Sequence, residues 1–162
     1  MNGADLFDLI LAVVLGGIIG AEREFNKKPA GLRTNILICL GAAVFTIISR
    51  RIVAGEPAGT AARVAAQIVT GVGFLGAGAI IQDRGGVHGL TTAATIWLVA
   101  SIGTACGAGL RELAVISTAV AVAVLFGLSP VARLLANLRG KYSAAGENRS
   151  NNSEQEKQGH RS

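Results

Sequence analysis

Two short polar stretches collect the side chains best suited to chemistry. The first holds Glu22 and Arg23, then Arg33 and Thr34; the second holds Asp83 and His88, then Thr91 and Thr92. Carboxylates and hydroxyls gathered on one membrane face can coordinate a hydrated hard cation such as magnesium. Glu22 and Arg33 can instead form an ion pair, which would account for an acid where membrane anchors are usually basic. Thr91 or Thr92 can also cap the helix that follows, whose positive end favours a nearby anion. Gly85-Gly86 supplies a turn between these groups. His88 reads most simply as a solvated loop residue, although an imidazole here could make the loop respond to pH. Neither stretch has metal-ligand spacing, so no metal is assigned.

A second pair, Arg63 and Gln67, is spaced i, i+4 at the start of a later apolar block and shares one helix face. Arg63 is placed to snorkel to the interface. Gln67, a turn deeper, is expected to hydrogen-bond across helices, because an unsatisfied amide in hydrocarbon is costly.

The elements that position these groups are apolar blocks long enough to cross a bilayer. Five are expected, at about 5–21, 35–52, 64–81, 90–107 and 112–129. The last two are separated only by Ala108 to Arg111, which implies a tight helical hairpin. The acidic start of the chain does not suit a cleaved signal peptide, so the first block is read as a retained span. With the N-terminus outside, the inner segments carry eleven Lys and Arg and the outer loops four: Arg50, Arg51, Arg63 and Arg111. That imbalance predicts an outside N-terminus and a cytoplasmic C-terminus, with Arg50-Arg51 as its weak point.

The spans form one domain over 1–129. Residues 130–142 follow as a short amphipathic segment at the interface, with Val131, Leu134, Leu135 and Leu138 at i, i+3, i+4, i+7. Residues 143–162 are polar and expected to be disordered.

Composition agrees with a membrane protein: 51% of residues are hydrophobic, only 15% are charged, and the charges cluster between apolar blocks. The net charge of +5 therefore reads as a topology signal, not a nucleic-acid surface. Cys39 and Cys106 both fall within spans and read as small packing residues. No nucleophile–base pair or nucleotide loop argues for catalysis, and no cofactor is expected.

The third span contains Gly71, Gly73, Gly76 and Gly78. The first three match the letter of a dinucleotide fingerprint, but no strand-turn-helix unit surrounds them. Close helix packing is the better account: Gly71 and Gly78 fall about 20° apart on a helix, and Gly73 and Gly76 lie on the opposite side. This span is thus expected to be a thin central helix. Gly16-x-x-x-Gly20 and Gly103-x-x-x-Gly107 suit packing within one subunit, and also self-association into a homo-oligomer.

Four stretches together resemble the MgtC/SapB family of bacterial membrane proteins. They are Gly-x-x-Ile-Gly-x-Glu-Arg-Glu (Gly16–Glu24), Ala-Gly-Leu-Arg-Thr-Asn (Ala30–Asn35), Arg63–Gly78 with the glycine run, and Gly-Leu-Thr-Thr-Ala-Ala-Thr-Ile-Trp (Gly89–Trp97). The resemblance implies an inner-membrane protein linked to growth in low magnesium and, in some pathogens, to survival inside host cells. It also implies that some members bind and restrain the membrane part of the F-type ATP synthase, and that others carry a C-terminal ACT-type domain. About thirty residues follow the last span here, so that domain is not expected. Two positions depart from the family pattern: Thr60 stands where an acid is usual three residues before Arg63, and His88 where arginine usually precedes Gly-Leu-Thr-Thr.

The sequence therefore reads as an all-α, polytopic integral membrane protein of the bacterial inner membrane, without enzymatic activity. The leading expectation is a regulator that supports adaptation to low magnesium through another membrane complex such as the ATP synthase. The rival is a transporter or channel for magnesium or another ion. The spans carry no acid over 35–49, 64–82 or 90–110, where a divalent-cation path would need one.

Overall fold

Hydropathy alone places the helices. The computed structural model describes residues 2–52, 59–83 and 86–127, the side chains of 59–65 and 83 excepted. Its helices are α1 (Gly3–Phe25), α2 (Leu32–Ile52), α3 (Gly59–Gly78) and α4 (Leu90–Gly107), followed by α5 over 111–127. Each coincides with a predicted block, and α4 matches its predicted bounds. By length and composition α1, α2 and α4 can each cross a bilayer, while the shorter apolar stretch of α3 runs over Ala66–Gly78. The protein is an all-α membrane protein. The predicted amphipathic segment at 130–142 and the tail at 143–162 lie outside the described residues, as do the side chains of Thr60, Arg63, Asp83 and Arg84.

Glycine decides which helix is central, and it is not α3. Helix α2 is clasped on two sides. A Cβ on Gly16 of α1 would lie 2.7 Å from Cys39 Cβ and 2.9 Å from Asn35 O, and one on Gly20 would lie 2.8 Å from Leu32 Cα. From the other side, Gly103 of α4 presses on the Cys39 carbonyl, and a Cβ on Gly107 would lie 2.8 Å from Thr46 Cβ. Both G-x-x-x-G motifs therefore pack within the subunit, where small residues let backbones approach. In α3 the expectation fails. A Cβ on Gly71, Gly73 or Gly78 would meet nothing within 4 Å, and one on Gly76 would only reach ordinary contact with Ala93. Equal spacing cannot separate a glycine that meets a helix from one that meets lipid. Cys39 and Cys106 are free and fully buried, the packing residues expected.

A small antiparallel hairpin joins α3 to α4. Strands β1 (Ile81–Asp83) and β2 (Gly86–His88) pair Ile81 with His88 and Gln82 with Val87. The cap of α4 is Gly89, not Thr91 or Thr92. Gly89 has φ 87°, and a Cβ there would run into the Ala79 carbonyl, so the turn admits only glycine.

At the end of the bundle holding the start of α1, charged side chains tie the helices together. Arg51 of α2 pairs with Asp5, and Arg111 of α5 donates to Asp8 Oδ1 at 2.7 Å with its guanidinium over the Phe7 ring. Arg50 donates to the Gly107 carbonyl at the end of α4. Three of the four arginines that count against the predicted orientation, Arg50, Arg51 and Arg111, thus hold folding contacts. Two of the three pair with acids of α1.

Candidate functional site

The opposite end of the bundle gathers the two predicted polar stretches. Glu22 and Arg23 occupy the last turn of α1, where a cation suits the helix dipole. Both are buried, each about 3% exposed. Arg23 Nη2 donates to Thr92 Oγ1 at 2.8 Å, joining α1 to the first turn of α4 across 69 residues. Its Nε has no partner. A guanidinium carries five donors, so one bond leaves it under-satisfied at a depth where that is costly.

Glu22 does not pair with Arg33. Its Oε1 accepts from Asn26 Nδ2 at 2.7 Å, and Oε2 has no partner. Arg33 is exposed on the first turn of α2. The ion pair expected from the sequence is absent because the connection between the helices is held by its own amides. Asn35 is fully buried and donates to the carbonyls of Ala30 and Gly31. Glu24 Oε2 caps α2 by accepting the Leu32 N–H at 3.0 Å. Lys27 and Ala30 adopt left-handed backbone, with φ 51° and 56°, so these bonds hold a strained turn. Asn26, Asn35 and Glu24 are not among the site residues expected from the sequence. The signals for them in the sequence are an amide at each end of a short Pro-Gly loop and the places of Glu24 and Asn35 in the family motifs.

The remaining candidates separate. Thr92 is buried in the cluster, whereas Thr91 is exposed. Its carbonyl accepts the Thr95 hydroxyl. His88 is exposed on β2. Thr34 and Gln67 line an apolar crevice of about 970 Å³ between α2 and α3. Gln67 makes no cross-helix hydrogen bond among the described residues, because it faces that crevice and not another helix. Asp83 and Arg63 belong to β1 and α3, with their side chains outside the described residues. Among the described residues no three His, Cys, Asp or Glu side chains converge as metal ligands. What the site offers is a buried carboxylate and a buried guanidinium with spare hydrogen-bonding capacity.

Three of the four motifs fall where this architecture needs them: Gly16 and Gly20 against α2 with Glu22 and Arg23 in the cluster, Asn35 in the turn, and Gly89 and Thr92 at the start of α4. The model of the MgtC family matches residues 9–134. Protein MgtC of Brucella abortus is 49% identical over 124 residues, covering 76% of this chain and 51% of the relative. Protein MgtC of Salmonella typhimurium is 42% identical over 144 residues, covering 89% and 60%. The chain thus spans about half to three-fifths of the length of these curated relatives. No solved structure matches. With a family model covering most of the chain, this protein belongs to the MgtC family.

Proposed function

We propose that the protein is a multi-pass component of the bacterial inner membrane that supports adaptation to low magnesium by regulating another membrane complex, such as the F-type ATP synthase. It acts without enzymatic chemistry. The observation that carries this reading is the buried Glu22–Arg23 cluster with unpartnered Glu22 Oε2 and Arg23 Nε. These groups sit at the C-terminal end of α1. The large crevice, by contrast, has no acidic residue in its lining, which suits a path for a divalent cation poorly. Family membership supports the same reading.

The test is growth under magnesium limitation of a host lacking this gene, complemented with wild type or with Glu22→Gln. Wild type is expected to restore growth and to retain ATP synthase subunits in pull-downs from native membranes. Glu22→Gln is expected to accumulate normally and lose both. Magnesium uptake into liposomes by the purified chain, abolished in Glu22→Gln, would replace regulation by transport.

A further inference from the structure

The crevice between α2 and α3 has no part in the proposed function. It runs along α2 from Thr34 through Leu37 and Gly41 to Phe45, and along α3 from Gln67 through Gly71 to Gly78. Gly41, Gly71 and Gly78 open onto it, and a Cβ at any of them would meet nothing within 4 Å. Phe74 and Leu37, on the same lining, are 81% and 66% exposed. The two walls are therefore trimmed to backbone at facing positions and bounded by large apolar side chains.

Its length selects the occupant. Thr34 and Phe45 are eleven residues apart, or about 16 Å of helix. That is close to half of the roughly 30 Å hydrocarbon core, so the crevice serves one leaflet. A spanning helix of a partner would need about twice that length. An acyl chain from one leaflet fits it. The volume, about 970 Å³, lies near the top of the range of about 300–1,000 Å³ for small-ligand clefts.

Charge selects the headgroup. Arg33 precedes Thr34 at the mouth of the crevice and lies one turn from Leu37 on the same face. It is exposed, and it has no acidic partner among the described residues. Lys27 and Lys28 are exposed on the neighbouring connection. The nearby carboxylate of Glu24 is engaged by the Leu32 N–H. We propose that this crevice is a binding site for an anionic phospholipid, with acyl chain between α2 and α3 and phosphate against Arg33 and the Thr34 hydroxyl. Basic groups beside an apolar inter-helix pocket are the usual chemistry for such headgroups. This site is distinct from the Glu22–Arg23 cluster, and the proposal stands whether or not the regulatory reading does.

The test is native mass spectrometry of the full chain in detergent, with phosphatidylglycerol and phosphatidylcholine of equal chain length. Wild type is expected to retain phosphatidylglycerol preferentially. Arg33→Gln, an exposed substitution, is expected to weaken that retention about fivefold. A Gly41→Leu/Gly71→Leu variant is expected to lose both lipids at unchanged helical content. Should that variant not fold, dihexanoyl phosphatidylglycerol on the wild type tests the crevice directly, because a headgroup without long chains should be retained poorly. Equal retention of the two long-chain lipids, undiminished binding in Arg33→Gln, or tight binding of the short-chain lipid would each overturn the proposal.

Discussion

Arg23 of α1 and Thr92 of α4, 69 residues apart, share a 2.8 Å hydrogen bond in the interior of the protein. The bond places a guanidinium between the C-terminal end of α1, which suits it, and the N-terminal end of α4, which does not. A hydroxyl is the group that reconciles the two, since its oxygen accepts while its hydrogen can turn away. Thr92→Val keeps the shape and removes the acceptor. It should destabilise the protein by about 1–3 kcal/mol, read as a lower thermal midpoint in detergent. Thr92→Ser should restore most of the loss, and an unshifted Thr92→Val midpoint would refute the role.

The glycines divide into two classes with opposite mutational signs. Gly103→Ala drives a methyl against the Cys39 carbonyl and to 3.0 Å of Ala42 Cβ. Overpacking of that kind costs about 1–3 kcal/mol. Gly73→Ala meets nothing within 4 Å and should stabilise α3 by about 0.5–1 kcal/mol through helix propensity. Parallel unfolding curves of the two variants check the assignment. A Gly73→Ala variant as damaged as Gly103→Ala would mean that the Gly73 face of α3 packs against a helix after all.

Gly89 is constrained twice, by φ 87° and by the Ala79 carbonyl. Gly89→Ala should cost more than about 2 kcal/mol, since the left-handed conformation alone costs about 1–2 kcal/mol for an L-residue. Limited proteolysis should show faster cleavage between α3 and α4 in this variant, and a cleavage rate equal to that of wild type would contradict the assignment.

Asp8 is 2% exposed while the Arg111 side chain that pairs with it is 43% exposed. The pair is therefore asymmetric. Arg111→Gln strands a buried carboxylate and should cost about 1–3 kcal/mol, with solvent screening favouring the lower end. Adding Asp8→Asn removes the stranded charge and should recover part of that loss. A double-mutant cycle on thermal stability measures the coupling, and strictly additive losses would show that the two side chains act independently.

Much of this protein was legible locally. Five apolar blocks fixed the positions of five helices, because hydropathy and length are properties of a segment by itself. The G-x-x-x-G pairs at Gly16 and Gly103 announced close packing, and four short motifs sufficed for the family. Tertiary structure alone decided which helix is central, which glycines touch a neighbour, and which partner each charge takes. Lipid tails are as apolar as leucine, so a helix face carries no mark of whether it meets lipid or protein. That is why the most conspicuous glycine run opens onto a crevice while quieter pairs clasp α2. The expected partnership of Glu22 with Arg33 failed for a related reason. Proximity in sequence favoured it, but the Asn26 amide donates to Glu22 instead and Arg33 stays exposed.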